Sequence, residues 1–506
     1  MTTIGRSRVR PGPLAAVLAL LALLPAARPT EAQADGGATD FVCPIDGAGA
    51  ADTALDSRLR RRVTSASDPD HSYALLLPPG YDGGTPRPLL IVMDPRGGAL
   101  RGLSVFWRAA ECRGWIVMSS HDTRSDTTRA GNEAALAAMT ADAEDLFSVD
   151  PDRLYLAGFS GTARFGWLAA ISHPDRVAGL IGVGAGFPTG IEPAIRTGAV
   201  TLPENFAFWG GAGRLDFNFQ EVRRLDGTLD GRGVPHRVVF YPGDHDWPSH
   251  EAAGRAIDWL ELQAYRQGLS APDSALVDAL HREAVAAARR TDDADRPVEA
   301  LDRWRRVTSG FEGLRPTAEA RRRVRELDDH PSVRRRREQR EEQAREHAAF
   351  RERMTEVLRK IRSGPPFPDP SASARELGLS ELHRREAAGD TLDARAAGRM
   401  LEYAYVQGAF YMPRQALRAG EPRKALAYLE IAERARQGGM RARWFRARAL
   451  TRAGRIREAL AEVEKLVDQG FSRSLLRDDA WLEPLRDEPR WDELTGEEPD
   501  PPGGGR

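Results

Sequence analysis

Leu154-Tyr155-Leu156-Ala157-Gly158-Phe159-Ser160-Gly161-Thr162-Ala163 is the stretch from which the rest of the chain can be read: a short apolar run stops at a turn of small residues, and an alanine-rich pattern follows. This is the form of a strand turning sharply into a helix with a serine at the turn, a nucleophile elbow. A serine hydroxyl is a weak nucleophile. Such a turn lifts it out of a sheet toward a base and an electrophile. Gly158 and Gly161 supply the backbone freedom, and Thr162 stands where Gly-x-Ser-x-Gly would place its last glycine.

Outward from that turn, β-rich runs alternate with helical stretches from Tyr73 to Tyr265. Strands are expected over Tyr73 to Leu77, Leu89 to Met93, Trp115 to Ser119, Arg153 to Ala157, Val177 to Val183, Phe206 to Trp209 and Arg237 to Tyr241. Helices are expected near Ser104 to Glu111, Asn132 to Phe147, Ala163 to His173, Phe219 to Leu229 and Ser249 to Tyr265. Several of these strands are apolar at nearly every position, as strands covered on both faces are. The pattern implies an α/β fold with a doubly wound, mostly parallel sheet.

A chain of 506 residues exceeds one ordinary core. Its 73 Lys and Arg nearly balance 74 Asp and Glu, so no global field favours nucleic acid or an anionic membrane. Arg6, Arg8 and Arg10 precede an apolar stretch from Leu14 to Leu24, and Ala32-Gln33-Ala34 offers a small-x-small cleavage site. This reads as a signal peptide over 1–34, cut before Asp35, and predicts a periplasmic or extracellular protein. The apolar run falls short of the roughly 20 residues that cross a bilayer. In an oxidising compartment Cys43 and Cys112, the two cysteines of the chain, either close a disulfide or stay as two buried thiols.

Beyond Gln267 strand-like runs vanish, and Ala, Arg, Glu and Leu dominate. Ala419-Gly420-Glu421-Pro422-Arg423-Lys424-Ala425-Leu426-Ala427 aligns with Ala453-Gly454-Arg455-Ile456-Arg457-Glu458-Ala459-Leu460-Ala461 at an offset of 34, and Phe410-Tyr411 maps by the same shift onto Trp444-Phe445. A third, degenerate unit surrounds Pro297-Val298-Glu299-Ala300-Leu301. The charged block from Ser332 to Lys360 carries one stripe of Phe350, Met354, Leu358 and Ile361 and reads as a solvated helix docked along that stripe. The resulting division is leader 1–34, N-terminal segment 35–72, α/β domain 73–267, helical connector 268–363, helical repeats 371–496 and a disordered tail 497–506.

A serine nucleophile on such a sheet needs an orienting acid and then a base, each just after a later strand. After Phe206-Ala207-Phe208-Trp209 comes Gly210-Gly211-Ala212-Gly213-Arg214-Leu215-Asp216, and after Val238-Val239-Phe240-Tyr241 comes Pro242-Gly243-Asp244-His245-Asp246-Trp247. Ser160, Asp216 and His245 are therefore the candidate catalytic residues. His173, His236 and His250 sit at a helix end, before a strand and inside a helix, and fit less well. The oxyanion donors are expected to be the Gly161 amide and, because Pro95 has no N–H, the amide of Arg96 or Gly97. Trp107, Ser119, Ser120, Phe159 and Trp247 are candidates for an acyl pocket, with core packing as the competing reading. Gly182-Val183-Gly184-Ala185-Gly186 follows a late strand and lacks the third spaced glycine of a dinucleotide loop, and His245 with Asp246 and His250 lacks a further ligand pair, so neither cofactor nor metal is expected.

The elbow, the loop ending Asp216-Phe217-Asn218 and the turn Gly243-Asp244-His245-Asp246-Trp247 resemble an α/β-hydrolase, and more narrowly the secreted esterases that include polyhydroxybutyrate-depolymerase-like and feruloyl-esterase-like enzymes. The resemblance covers about Tyr73 to Tyr265 and implies an eight-stranded sheet with a Ser-Asp-His triad. Thr162 departs from its glycine, and Gly186 to Pro203 is the one short segment in the position of a lid. The 34-residue period resembles a tetratricopeptide repeat and implies a surface for a protein partner. The expected function is an exported carboxylic ester hydrolase acting on a small or polymeric ester; an inactive hydrolase-fold scaffold and a serine peptidase are the alternatives.

Overall fold

The computed structural model describes residues 58–125 and 129–496. The expected leader over 1–34, Cys43 and the expected tail over 497–506 lie outside them. The chain forms two compact units, whose described parts are residues 58–349 with 385–400, and residues 350–384 with 401–496.

The first unit is built on eight strands: β1 (Leu59–Thr64), β2 (Ser72–Leu76), β3 (Arg87–Met93), β4 (Ile116–Ser120), β5 (Val149–Phe159), β6 (Val177–Val183), β7 (Ala207–Gly213) and β8 (His236–Tyr241). Their order is β1-β2-β4-β3-β5-β6-β7-β8. Strand β2 runs antiparallel to both neighbours, and from β4 to β8 all pairs are parallel. Helices α1 (Ala99–Arg113), α2 (Arg129–Leu146), α3 (Gly161–Ser172), α4 (Ile191–Thr197), α5 (Phe219–Gly231) and α6 (His250–Arg266) connect and follow these strands.

Alternation along the strands feeds two cores. Tyr155, Ala157 and Phe159 of β5 join Phe106, Trp115, Trp209 and Trp259 on one face. Leu154 and Leu156 join Met139, Trp167, Phe206 and Phe208 on the other. Both faces are therefore buried, which is why these strands read as continuous apolar runs. Strand β1 was not expected, and the sheet opens well before Tyr73. Its sequence, Leu59-Arg60-Arg61-Arg62-Val63-Thr64, carries three consecutive arginines and only two half-buried apolar residues, as an antiparallel edge strand permits.

The unit also runs past the boundary expected at Gln267. Helices α7 (Ser274–Asp293), α8 (Pro297–Phe311) and α9 (Ala318–Asp328) share a core of Val277, Leu301, Trp304, Val307 and Phe311 with Leu262 of α6.

In the second unit, helices end at Arg418 and Arg452 and begin again at Pro422 and Ile456, positions 34 residues apart in each case. Ala425 and Ala459, the matching residues of the following helices, are fully buried, where a larger side chain would force the helices apart. Among the described residues of the chain, no helix is long and apolar enough to cross a membrane.

Candidate active site

The parallel strands β5, β7 and β8 each deliver one polar side chain at their carboxyl ends. Ser160 follows β5 with φ +56° and ψ −119°, one of two non-glycine residues at positive φ among the described residues. Such a conformation costs about 1–3 kcal/mol and persists only where the surroundings hold it. Here the Ser160 amide donates to Val183 O at 2.8 Å. The flanking glycines are required by close approach: a Cβ on Gly158 would stand 2.6 Å from Ala163 N, and one on Gly161 would stand 2.4 Å from Ser125 Oγ.

Thr162, the departure from the glycine pattern, is fully buried and acts as a staple. Its hydroxyl reaches Met93 O at 2.5 Å and Phe159 O at 2.9 Å, and it accepts from the Phe159 amide at 3.1 Å. It ties the start of α3 to the ends of β3 and β5.

Asp216 stands in the loop after β7, with no exposed side-chain surface, and His245 stands in the turn after β8. His245 Nδ1 lies 2.9 Å from Asp216 Oδ2, and His245 Nε2 lies 3.0 Å from Ser160 Oγ. An ionised carboxylate only accepts, so Asp216 fixes Nδ1 as the protonated ring nitrogen and leaves Nε2 to accept from the Ser160 hydroxyl. Burial pushes the Asp216 carboxyl above the ordinary carboxylate range, against the pull of His245 and of the Asn218 amide, which donates to Asp216 Oδ1 at 2.7 Å. The imidazole is flanked by two aromatic rings, Phe159 with centroids 4.6 Å apart and Phe217 at 4.4 Å. The structure thus brings together Ser160, Asp216 and His245.

Asp94, at the end of β3, was not singled out in the sequence. Its buried carboxylate accepts from the Arg96 amide at 2.8 Å and the Gly98 amide at 3.1 Å through Oδ1, and from Trp247 Nε1 at 3.1 Å through Oδ2. One side chain thereby organises the loop after β3 and ties it to the histidine turn. An acid directly after an apolar strand and before proline is a turn signal that could have marked it. The Gly97 amide donates to Asp94 O at 3.1 Å. Both amides expected as the second oxyanion donor, Arg96 and Gly97, are therefore engaged within their own turn.

The expected pocket residues divide. Phe159 packs on His245, and Trp247 on Phe159 and Phe106. Ser120 Oγ accepts the Asp122 and Thr123 amides at 3.0 and 3.1 Å, so it shapes a turn. Ser119 is buried beside Gly102 of α1, and Trp107 packs from α1 against the core. The rival histidines lie elsewhere: His173 caps the end of α3, His236 bonds to Val234 O, and His250 faces Val105 O. Arg101 pairs with Asp246 beside the base. Cys112 is disulfide-bonded. Among the described residues no group of three or more His, Cys, Asp or Glu side chains is arranged to hold a metal ion.

The strand order, the parallel crossovers and the serine-bearing turn after β5 define the first unit as an α/β-hydrolase fold. No family model matches the chain, and no curated protein matches it in sequence. Among solved structures, S-formylglutathione hydrolase from Staphylococcus aureus matches at 17% identity and a TM-score of 0.31, over 38% of this chain and 90% of that one. Est1E from Butyrivibrio proteoclasticus matches at 16% identity and a TM-score of 0.30, over 40% and 95%. A hyperthermophilic esterase from Pyrobaculum calidifontis matches at 17% identity and a TM-score of 0.30, over 41% and 84%.

Proposed function

We propose that the protein is an exported serine hydrolase that cleaves carboxylic esters through an acyl-enzyme. The observation that supports this reading is the continuous row from Ser160 Oγ to His245 Nε2 at 3.0 Å and from His245 Nδ1 to Asp216 Oδ2 at 2.9 Å. Ser160 Oγ attacks the ester carbonyl carbon while His245 Nε2 takes its proton, and the carbonyl π pair moves onto oxygen. Asp216 stabilises the imidazolium and keeps its orientation. The tetrahedral adduct collapses, the C–O bond to the alcohol breaks, and the leaving alkoxide takes the proton from His245. A water then repeats the sequence, deprotonated by His245, and releases the acid and Ser160.

The test is labelling with a fluorophosphonate together with turnover of p-nitrophenyl esters and peptide anilides. The parent protein should be labelled and hydrolyse the esters faster, and Ser160→Ala should lose both signals. A folded parent that is neither labelled nor active would remove the hydrolase assignment; faster turnover of the anilides would replace the esterase with a peptidase.

A further inference from the structure

We infer that the hydroxyl of Ser125 is the second oxyanion donor, acting opposite the amide of Gly161; the inference rests on the serine-hydrolase reading above. An acyl-transfer oxyanion needs preorganised donors converging on the point where charge develops. Gly161 opens α3, and its amide has no acceptor among the described residues, so it is available for that role.

Among the described residues, the two loops beside the nucleophile have no such amide left. After β3, Pro95 has no N–H, Arg96 and Gly98 donate to Asp94 Oδ1, and Gly97 donates to Asp94 O. After β4, the Asp122 and Thr123 amides are held by Ser120 Oγ, and the Arg124 amide is held by Asn132 Oδ1 at 2.9 Å. The Ser125 amide donates to Pro95 O at 2.9 Å. The Arg124 guanidinium donates to the carbonyls of His121 and Thr123, at 2.8 Å each.

What remains among the described residues is a hydroxyl. Ser125 is exposed, its Oγ has no partner among the described residues, and it lies so close to Gly161 that a Cβ there would stand 2.4 Å from it. Its position is built. Besides the bond to Pro95 O, the neighbouring Arg124 carbonyl accepts from Nδ2 of buried Asn132 at 2.9 Å, and Thr123 Oγ1 donates to Asp94 O at 3.0 Å. The backbone carrying Ser125 is thereby pinned to the β3 turn, while the O–H remains free to rotate toward an oxygen that becomes charged. If Ser125 were small only to spare Gly161, an alanine would serve as well.

The experiment compares the parent with Ser125→Ala, Ser125→Cys and Ser125→Thr in p-nitrophenyl acetate hydrolysis and in inhibition by an aryl trifluoromethyl ketone, whose serine adduct carries an oxyanion. Loss of one such donor lowers kcat about 10²–10³-fold. Ser125→Ala should show a fall of that order with KM nearly unchanged and a parallel loss of ketone affinity. Ser125→Thr should recover most of the rate. Should Ser125→Ala fold poorly, Ser125→Cys, close in shape but a weak donor, should approach the same loss. Turnover within twofold of the parent in Ser125→Ala or Ser125→Cys, with the parent labelled by fluorophosphonate, overturns the Ser125 assignment and leaves the hydrolase reading standing. A parent that is neither labelled nor active ends both.

Discussion

Replacing Thr162 by valine keeps the shape of the side chain and removes only its hydroxyl, which isolates the staple beneath the nucleophile. Thr162 is fully buried, so no water can replace the lost group. The Phe159 amide, 3.1 Å from Thr162 Oγ1, becomes a buried donor without a partner, and Met93 O loses a donor at 2.5 Å. An unmet buried amide costs about 1–3 kcal/mol, and the donor lost at the Met93 carbonyl adds about 1 kcal/mol, so the sum is about 2–4 kcal/mol. Helix propensity does not enter, because both residues are β-branched. For a unit of this size a loss of 1 kcal/mol lowers Tm by roughly 2 °C, which predicts a fall of roughly 4–8 °C by differential scanning fluorimetry. Thr162→Ser retains the hydroxyl and loses one buried methyl, worth about 0.8 kcal/mol, and should fall between the two. A valine variant within 1 °C of the parent, or a serine variant less stable than valine, would refute the staple.

Two further outcomes can be stated briefly. Burial, opposed by Arg113, pushes the Asp258 carboxyl up to about 6, so its contribution to stability is fully present below pH ~4 and is lost as pH rises through ~6, a swing of roughly 3 kcal/mol. Asp258→Asn should therefore gain on the parent between pH 4 and pH 8 in melting temperature, and a difference independent of pH would contradict this. Export predicts that the mature protein recovered outside the cytoplasm begins at Asp35, as read by N-terminal sequencing; a cytoplasmic chain that retains its leader contradicts it.

Ser160 and Asp216 could be placed from the sequence because each comes just after an apolar strand that is buried in the sheet, whereas His245 comes after β8, a half-buried edge strand, and was placed by chain order. Strand β1 was not legible for the converse reason: as the first strand of the described sheet, with three arginines in a row, it carries almost no apolar signal. The boundary at Gln267 illustrates a different limit. Composition changes there because strands cease, but Leu262 before it and Trp304 and Phe311 after it belong to one core, so a change in secondary structure is not a change of compact unit.

The oxyanion loop shows most clearly where local pattern stops. Excluding Pro95 left Arg96 and Gly97 by elimination, and that step is sound as chemistry of the backbone. It omits competition from a side chain. A carboxylate two residues before an amide can capture it in a turn, as Asp94 does, and whether it does so depends on what else holds the carboxylate in place. Here that holder is Trp247, 153 residues away in sequence and two residues from the base. The same buried acid that engages the Arg96 amide therefore anchors the histidine turn to the end of β3, and on the proposal above the second donor is the Ser125 hydroxyl of the neighbouring β4 loop, packed against Gly161.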